Sequence, residues 1–517
     1  MKYAVNSDEM KQIDSYTIEQ IGIPSLVLME RAALKVVSHI ESVAKKENSI
    51  AVVCGTGNNG GDGIAIARIL YIQGYKVDLI ILGNLEKLTK ESEIQLSIVK
   101  KLGISIRSKL ESNEYNIIVD AMFGIGLQRE IEGVYKETIE KINSLRAYIV
   151  AVDIPSGVDA NTGKIKNVAI KADVTVTFGE NKLGLLLYPG AFHVGKVIVE
   201  DIGFPRVAVE NVSPKYHYFE KDDLRKLPKR SSYSNKGSYG KVLIIAGSTN
   251  MTGAAYLSAN AAYKMGCGLV KVLTSRSGVE VIRTLLPEAI YACYEDNNSE
   301  TILKESIQWA DAIVIGPGLS TGELAEGLLL QLLKEQTKPT VFDADALQIL
   351  ANILNTRMVD NTKDRVRELS SLLPANSILT PHLKELANLL SCSVDNIVKG
   401  FIDFPEYCTY NNKLIYVIKD ARTIVAHCEN RYVNVSGNHG MATGGSGDVL
   451  TGIIAGLIAT GLKSYEAAEL GVYIHGLAGD VAAEKRGYHS MLASDILEAL
   501  PEVIKENDRR SIQREVL

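Results

Sequence analysis

Short apolar segments alternate with amphipathic segments along most of the chain. In the first 205 residues, runs of β-branched and aliphatic residues predict strands, and each run is followed by Gly, Pro or Asp. Because these runs are almost continuously apolar, we expect the strands to be buried on both faces, as in a parallel sheet covered by helices. The predicted strands are SIAVVC, KVDLIIL, YNIIVDAM, AYIVAVDI and ADVTVTF.

The same alternation restarts after a charged, aliphatic-poor segment at residues 206–238. The segment predicts a domain boundary, and the sequence therefore predicts an α/β fold in two parts. We expect a Rossmann-like, doubly wound parallel sheet in residues 1–210, a linker in residues 211–224 and a second α/β domain in residues 225–517. Strands of the second part are predicted at KVLIIAG, GLVKVLT, DAIVIG, PTVFDAD, NSILTP and LIYVIK, with a hairpin at TIVAHCENRYVNVSG.

Composition narrows the class of protein. The chain has 517 residues, 46% hydrophobic and 23% charged, with a formal net charge of -5. This balance excludes a basic nucleic-acid-binding surface and a charge-driven disordered chain. The six cysteines are isolated, which fits a reducing compartment, and neither a signal peptide nor a membrane span is predicted. We therefore expect a cytoplasmic enzyme acting on a small molecule, without nucleic acid or membrane as partners.

A glycine-rich loop follows the first predicted strand, SIAVVC. Gly55, Gly57 and Gly60 satisfy G-x-G-x-x-G, and Asp78 stands near the place of a ribose-binding acid. Such a loop brings backbone amides and a helix N-terminus to an anion, but a tight turn without any ligand has the same glycines. The polar side chains within this loop favour a ligand: they are Asn58, Asn59 and Asp62.

Two further strands end in aspartates that precede polar loops. Asp120 is followed by a second glycine loop, and Asp153 is followed by Pro155-Ser156-Gly157. Each aspartate alone is explained by helix capping, whereas both together predict a site at the carboxyl ends of the strands. Their oxygen atoms suit a hard cation such as K⁺, Mg²⁺ or Ca²⁺.

Four segments in this part of the chain resemble the signature segments of NAD(P)H-hydrate epimerases: GTGNNGGDG, DAMFGIGLQREIEG, AVDIPSGVDANTG and FGENKLGLLLYPGAFHVGKVIVEDIGFP. The resemblance implies epimerisation at C6 of hydrated NADH or NADPH, with K⁺ held by Asn59, Asp120 and Ser156. We expect Asp153 to be the general acid or base, because a carboxylate buried at a strand end can have a raised pKa. Lys182 is a second candidate, or a partner of the substrate phosphates. The implied substrate contacts are Asn58, Asn59, Gly60, Gly61, Asp62, Gly124, Ile125, Gly126, Leu127, Gln128, Arg129, Glu130 and Asp153.

The sharpest signal of the second half is Gly444-Gly445-Ser446-Gly447-Asp448, which precedes a strongly apolar helix. Small residues at a helix N-terminus present several amides to one anion, and the aspartate just inside the helix is placed to act as a base. Close helix packing alone explains the glycines without any ligand. The motif also occurs in ribokinase-like enzymes, so a sugar-type kinase is an alternative.

The surrounding segments resemble ADP-dependent NAD(P)H-hydrate dehydratases, whose fold is ribokinase-like. They are NKGSYGKVLIIAGSTNMTGAAYLSANAAYKMGCGLVKV, DAIVIGPGLS, VFDADAL, LTPH and HGMATGGSGDVLTGIIAGLIATG. The resemblance implies that ADP donates its β-phosphate to help eliminate the C6 hydroxyl, giving AMP, phosphate and NAD(P)H. The implied substrate contacts are Ala254, Gly318, His382 and Asp448. The implied ADP contacts are Lys419, Asp420, Ala421, Arg422, Thr423, Asn438, His439, Gly440, Met441, Ala442, Thr443, Gly444, Gly445, Ser446 and Gly447.

The chemistry is plausible on its own terms, because hydroxide is a poor leaving group and phosphorylation makes it a good one. Asp448 would take the hydroxyl proton while the amides of the glycine loop hold the anion. His382 is either a substrate contact or a structural histidine. Asp343 and Asp345 either face the site, directly or through Mg²⁺, or cap a helix. The chain departs from the family pattern at Ser320, Leu383, Lys384, Asp420 and His439, which bears on nucleotide affinity.

The two resemblances together predict a bifunctional metabolite-repair enzyme with ADP, K⁺ and Mg²⁺ as co-substrate and cofactors. Hydration of NAD(P)H gives two C6 epimers, so a stereospecific dehydratase needs an epimerase to clear both. An ATP-dependent, ribokinase-like small-molecule kinase with a nucleotide-binding N-terminal domain is the alternative. A third hypothesis, a first domain that is only a scaffold, does not explain Asn59, Asp120 and Asp153. By the same resemblance, we expect a homo-oligomer.

Overall fold

The computed structural model consists of two compact units, Lys2–His217 and Tyr218–Leu517. It describes residues 1–111, 114–295, 299–335, 338–401, 404–409 and 413–515. Both units are α/β with largely parallel sheets, so the predicted fold class is confirmed. Residues 211–224, the predicted linker, contain the end of a helix, a short strand at Tyr216–Tyr218 and part of a 3₁₀ turn at Lys221–Lys226.

The N-terminal unit alternates strands and helices along its length. A π-helical turn at Tyr16–Ile21 and Gly22 with φ +86° separate the first two helices. Its strands are β1 (Lys2–Val5), β2 (Ser49–Cys54), β3 (Lys76–Ile81), β4 (Ile106–Arg107), β5 (Ile117–Ala121), β6 (Tyr148–Val152), β7 (Val174–Phe178), β8 (Asn181–Lys182) and β9 (Lys196–Glu200). Its helices are α1 (Ser7–Ser15), α2 (Ser25–Val43), α3 (Asn58–Ile72), α4 (Lys90–Lys101), α5 (Gly133–Ser144), α6 (Leu183–Leu186) and α7 (Arg206–Val212). Strand β10 (Tyr216–Tyr218) follows.

Seven of these strands form one parallel sheet in the order β4-β3-β2-β5-β6-β7-β9. Strand β2 shows why the apolar runs are continuous: Ile50 and Val52 pack on one face, and Ala51 and Val53 pack on the other. From β2 the chain adds strands first on one side and then, from β5, on the other. The loops after β2 and β5 therefore meet at the switch point, where doubly wound sheets bind ligands.

The C-terminal unit repeats this plan on a longer chain. Its strands are β11 (Lys241–Ile245), β12 (Leu269–Thr274), β13 (Ile290–Cys293), β14 (Ala312–Ile315), β15 (Thr340–Phe342), β16 (Ile378–Leu379), β17 (Ile415–Ile418), β18 (Ile424–His427) and β19 (Asn430–Val433). Its helices are α8 (Thr252–Lys264), α9 (Arg276–Leu285), α10 (Ser299–Trp309), α11 (Glu323–Glu335), α12 (Asp345–Thr356), α13 (Thr362–Leu372), α14 (Leu383–Leu390), α15 (Val394–Lys399), α16 (Phe404–Thr409), α17 (Ser446–Ala459), α18 (Ser464–Arg486) and α19 (Ala493–Glu515).

These strands run β13-β12-β11-β14-β15-β16-β17-β18-β19, parallel as far as β17 and antiparallel in the predicted hairpin β18–β19. The switch point lies between β11 and β14, where the Gly247 amide donates to the Pro317 carbonyl over 2.8 Å. Helix α17 is buried along almost its whole length against the core. In the part of the chain that the structure describes, no helix combines the length and apolar character needed to cross a bilayer.

Candidate active sites

The loop after β2 is shaped by contacts at two of its three motif glycines. A Cβ on Gly55 would lie 2.1 Å from the Met122 carbonyl oxygen, and one on Gly60 would lie 2.0 Å from the Gly55 carbonyl oxygen. A Cβ on Gly57 would meet nothing within 4 Å, and this residue is exposed at the start of α3. Packing therefore accounts for Gly55 and Gly60, and the open N-terminus of α3 is the part left for an anion.

The residues predicted to hold K⁺ do lie together. The buried Asp120 carboxylate accepts from the Ser156 amide at 2.7 Å and from the Ser156 hydroxyl at 2.6 Å. The Asn59 side-chain amide donates to the Phe123 carbonyl at 3.0 Å, and the Ser156 hydroxyl is 3.5 Å from the same carbonyl. Burial raises the pKa of Asp120 to about 6, against the hydrogen bonds from Ser156 and Met122 that lower it. The Asp120 carboxylate, the Ser156 hydroxyl, the Asn59 side-chain amide and the Phe123 carbonyl thus adjoin one another. The carbonyl was not predictable from the sequence, because any residue supplies one.

Asp153 is held in an unusual conformation by a buried lysine. It follows β6 with a φ of +65°, a left-handed backbone conformation that few non-glycine residues adopt. Lys182, 1% exposed, donates to Asp153 Oδ1 at 2.6 Å, to Thr177 Oγ1 at 2.8 Å and to the Phe178 carbonyl at 2.8 Å. All three ammonium hydrogens are therefore used within the protein. Lys182 is not placed to meet substrate phosphates, and that sequence-based alternative is wrong.

The carboxylates of Asp62 and Asp14 complete this cluster. Burial and the neighbouring Asp153 and Asp14 carboxylates raise the pKa of Asp62 well above its ordinary value. Burial and Asp153 also raise the pKa of Asp14, which lies on α1. Asp14 was missed by the sequence analysis because its helix lies far from the three polar loops along the chain. The site therefore contains an ion-paired carboxylate beside two carboxyl groups whose pKa values are raised.

The remaining residues predicted to contact the epimerase substrate border this site. Asn58 opens α3 on the surface, and Gly61 is buried one turn into that helix. The loop from Gly124 to Glu130 follows β5, with its last three side chains exposed. Asp78, by contrast, lies inside β3, where it pairs with Arg107 at 3.2 Å and with the Tyr115 hydroxyl at 2.8 Å. It does not stand at a strand end, and its role as a ribose-binding acid is wrong.

In the C-terminal unit, α17 begins at the predicted glycine loop. Gly445 has a φ of +89°, which requires glycine, and Ser446 to Asp448 form the first turn of the helix. Burial and the Asp343 carboxylate raise the pKa of Asp448 to about 7, although Lys419 lowers it. The carboxyl group is thus poised between its two protonation states near neutral pH, as a general base should be.

A buried ion pair lies beside this turn. Lys419 donates to Asp343 Oδ1 at 2.7 Å and lies 3.9 Å from Glu385 Oε2. A Cβ on Gly447 would lie 3.4 Å from the Lys419 nitrogen and 3.7 Å from Asp343 Oδ2. Burial alone would lower the pKa of Lys419, but Asp343, Glu385 and Asp448 together raise it, so the ammonium is a fixed positive charge. Asp343 therefore faces the site, and Asp345 accepts from the Ser320 amide at 2.7 Å.

The residues predicted to contact the dehydratase substrate fall into two places. A Cβ on Gly318 would lie 2.9 Å from the Ala254 Cβ, so these two residues adjoin at the switch point. His382 forms a bridge with Lys419 and caps α14, where its Nδ1 accepts from the amides of Lys384 and Glu385 at 3.2 Å. The capping role is therefore confirmed, and the half-exposed ring also brings Nε2 within 3.5 Å of Glu385 Oε1.

The predicted ADP segments surround α17 with their side chains largely engaged. Asn438 donates to the Gly479 carbonyl at 3.0 Å and to Asp480 Oδ1 at 2.9 Å, and it accepts from the Gly440 amide at 3.0 Å. His439 lies against Tyr488 with ring centroids 4.4 Å apart. Met441 ends the 3₁₀ turn His439–Met441, and the residues from Ala442 to Gly444 form the loop before α17. In the other segment, Asp420 and Ala421 are exposed after β17, Arg422 donates to the Val435 carbonyl, and Thr423 precedes β18.

Two family models match this chain. Residues 242–502 match the family model described as NAD(P)H-hydrate dehydratase, and residues 25–184 match the one described as YjeF-related protein N-terminus. The chain is 37% identical to the bifunctional NAD(P)H-hydrate repair enzyme Nnr of Thermofilum pendens, over 96% of this chain and 95% of that protein. It is 37% identical to the enzyme of the same name from Moorella thermoacetica, over 97% of both, and 33% identical to that of Escherichia coli, over 98% and 95%.

Among solved structures, an ADP/ATP-dependent NAD(P)H-hydrate dehydratase from Bacillus subtilis, co-crystallized with ATP and Mg²⁺, is 28% identical. It covers 56% of this chain and 98% of its own, with a TM-score of 0.48.

Proposed function

This chain belongs to the family of bifunctional NAD(P)H-hydrate repair enzymes, and from that premise we propose how its two units divide the work. The N-terminal unit interconverts the R and S hydrates at C6, and the C-terminal unit dehydrates the S form with ADP. One observation carries the proposal: each unit has a cluster of polar side chains around one aspartate, Asp153 or Asp448, in the loops beyond the carboxyl ends of its parallel strands. The ATP-dependent kinase is not favoured, because the near-full-length relatives are named as repair enzymes.

In the dehydratase, Asp448 takes the proton of the C6 hydroxyl as that oxygen attacks the β-phosphate of ADP. The amides at the start of α17 and the fixed charge of Lys419 stabilise the negative charge on the transferred group. AMP leaves, and the lone pair of the ring nitrogen then expels phosphate from C6 to give a cyclic iminium ion. Loss of a proton from C5 to water forms the C5–C6 double bond and gives NAD(P)H. Asp343 holds Lys419 beside this turn through their ion pair.

The dehydration rate is expected to rise with pH around neutrality. Asp448 acts as a base only when ionised, and its pKa is raised to about 7. The rate at saturating ADP should therefore increase from pH 6 towards pH 8 with an apparent pKa near that value. Stopped assays across this range, with the S hydrate as substrate, measure the profile. A rate that is flat between pH 6 and pH 8 would remove Asp448 as the base.

In the epimerase, C6 carries both the ring nitrogen and a hydroxyl group. A base that takes the hydroxyl proton lets the C6–nitrogen bond open, and closure on the other face followed by return of the proton gives the other epimer. Asp153 is suited to this role, because Lys182 and Thr177 occupy its Oδ1 while its Oδ2 accepts no hydrogen bond from the described residues. Asp62, whose pKa is raised, is suited to return the proton.

Lys182 serves this site as a positioning residue. Replacing it by methionine keeps the length of the side chain but leaves Asp153 without its cation, so we expect the epimerisation kcat to fall about 10- to 100-fold. The matched control is Lys166→Met, which removes an ion pair with Asp159 at 3.1 Å in the same unit. Epimer interconversion followed by chromatography, with thermal unfolding in parallel, separates the two. Equal losses in both variants would assign Lys182 to stability alone.

The Asp120 carboxylate, the Ser156 hydroxyl and the Phe123 carbonyl supply hard oxygen ligands of the kind that K⁺ takes, and Asn59 would have to turn its side-chain oxygen towards the ion to join them. K⁺ would lie there and hold the loops after β5 and β6 against each other. We expect K⁺ to raise the unfolding temperature more than Na⁺ at equal ionic strength, and Ser156→Ala to shrink the difference. Thermal unfolding in the two salts measures it. An identical unfolding temperature in K⁺ and Na⁺ would contradict the site.

Mg²⁺ is expected to arrive with the nucleotide. Among the described residues, His, Cys, Asp and Glu form no group of three or more with the geometry of a metal site. Mg²⁺ commonly takes one or two carboxylates plus phosphate oxygens, and Asp343 and Asp345 lie beside the glycine loop for that purpose. When bound, Mg²⁺ would add positive charge beside the phosphate oxygens of ADP, next to that of Lys419.

We also propose that the protein is cytoplasmic and forms a homo-oligomer. All six cysteines are free thiols, as in a protein of the reducing cytoplasm. A homo-oligomer would not use α17, because that helix is buried within its own unit. The exposed apolar side chains Val281, Leu285 and Ile290, on α9 and the edge strand β13, are better placed for it.

A further inference from the structure

Helix α18 contains three glycines, although glycine disfavours a helix, and two of them, Gly476 and Gly479, lie close to another segment of the chain. A Cβ on Gly476 would lie 2.1 Å from Ser436 Oγ, and one on Gly479 would lie 2.2 Å from the Met441 sulfur. Gly476 therefore excludes a larger residue, because a Cβ there would also lie 2.8 Å from the Ser436 backbone, whereas a larger residue at position 479 would require the Met441 side chain to move. The two glycines let the helix approach the segment from Ser436 to Met441, which includes part of the proposed ADP site.

Asp480, the residue after this pair, binds that segment with both carboxylate oxygens. Oδ2 accepts from the Gly437 amide at 2.9 Å, and Oδ1 accepts from the Asn438 side chain at 2.9 Å. Asn438 in turn accepts from the Gly440 amide at 3.0 Å, which closes the 3₁₀ turn. The carboxylate thus binds the Gly437 backbone and the Asn438 side chain, and through Asn438 it is linked to the Gly440 amide.

His475, the residue before the pair, reaches the other nucleotide segment. Its Nε2 lies 3.3 Å from the hydroxyl oxygen of Ser446, the first residue of α17. Burial lowers the pKa of His475 to about 4, so its ring is neutral and acts through hydrogen bonding rather than charge. Neither His475 nor Asp480 has a part in the chemistry proposed above.

We propose that His475 and Asp480 are positioning residues for the nucleotide, because α18 holds the segments Gly437–Met441 and Gly445–Gly447 in one arrangement. The proposal rests on the dehydratase function proposed for this unit. A preformed arrangement of these amides means that ADP does not have to order the loops when it binds. Loss of either contact should therefore weaken ADP binding more than it slows the chemical step.

Asp480→Asn tests the first contact in the full-length protein. An amide has one acceptor, so either the Gly437 amide or the Asn438 side chain is left facing an NH₂ group. We expect the Kd for ADP, measured by titration calorimetry, to rise about tenfold, with kcat for the S hydrate within about twofold of the wild type. The matched control is Glu484→Gln, which removes one charge from an exposed position one turn further along α18 and should change neither value.

His475 is tested by a pair of variants. Leucine removes the hydrogen bond to Ser446, whereas glutamine keeps a polar group near the position of Nε2. We expect His475→Leu to raise the Kd for ADP and His475→Gln to recover most of the loss. An equal effect of both variants would show that only volume matters there and would overturn this part of the proposal.

The outcomes separate this inference from the function it rests on. Wild-type protein that binds ADP but does not dehydrate the S hydrate would overturn the proposed function and leave the binding comparison standing. An unchanged Kd for ADP in Asp480→Asn would overturn the positioning role, whatever the activity. A variant with a lower unfolding temperature, a higher Kd for ADP and a proportionally lower kcat would also overturn the positioning role, since these changes together would indicate a general loss of structure.

Discussion

Replacing Asp448 by asparagine is expected to lower the dehydration rate by about 10³-fold, the largest single effect in the C-terminal unit. Asparagine has the same shape but cannot accept the hydroxyl proton. The amides at the start of α17 and the Lys419 charge remain, so ADP should bind with a Kd close to that of the wild type. Formation of NAD(P)H and AMP from the S hydrate, under single-turnover conditions, measures the loss.

The fold provides an internal control for this variant. The native protein holds a proton on Asp448 up to about pH 7, well above the ordinary pKa of an aspartate, so this group's contribution to stability is lost as pH rises through that value. Asparagine does not ionise, and Asp448→Asn should unfold at pH 8 at the same temperature as the wild type or a higher one. Epimerisation should be unchanged. A variant that keeps more than a tenth of the wild-type rate would contradict the role of Asp448.

Replacing Asp153 by asparagine is expected to reduce epimerisation by about 10²- to 10⁴-fold while dehydration of the S hydrate continues. Asparagine tolerates the positive φ at this position, and its Oδ1 can still accept from Lys182 and Thr177, so the site should keep its shape. With a mixture of epimers and ADP, the variant should consume the S form and leave the R form. Chromatography of the two hydrates over time measures both.

The matched control for Asp153 is Asp201→Asn, an exposed carboxylate of the same unit that accepts from the Gly203 amide. It should epimerise at the wild-type rate. If Asp153→Asn also clears both hydrates at that rate, another group moves the proton, and Asp62 becomes the first to replace.

The sheet strands that carry the sites were predictable because they are long and buried on both faces. SIAVVC became β2 and KVLIIAG became β11, with Ile50 and Val242 facing opposite cores from their chain neighbours. The short strands β4 and β8, of two residues each, have no periodicity to detect. The π-helical turn before α2 was not predictable either, since it is defined by its backbone hydrogen bonds and not by residue type.

The candidate sites were predictable as far as their chemistry lay in side chains within motifs. Asp120 and Ser156 adjoin as expected, yet the Phe123 carbonyl between them carries no signal in the sequence. Lys182 was recognised as an acid/base candidate or a partner of the substrate phosphates, but its burial and its ion pair with Asp153 had no signal in the sequence. Asn438 stood within a motif and is held by Asp480, whose position 42 residues further along the chain gave no reason to pair them.

The central claim is that one chain carries both activities, and it is tested most directly with a mixed-epimer NADH hydrate preparation. Recovery of the reduced-nicotinamide absorbance is followed with the wild-type protein, with ADP and with ATP in parallel. The account predicts complete recovery with ADP, formation of AMP and phosphate, and no accumulation of a phosphorylated product. Recovery that stops once the S hydrate is consumed would contradict the epimerase, and no recovery with either nucleotide would contradict the account as a whole.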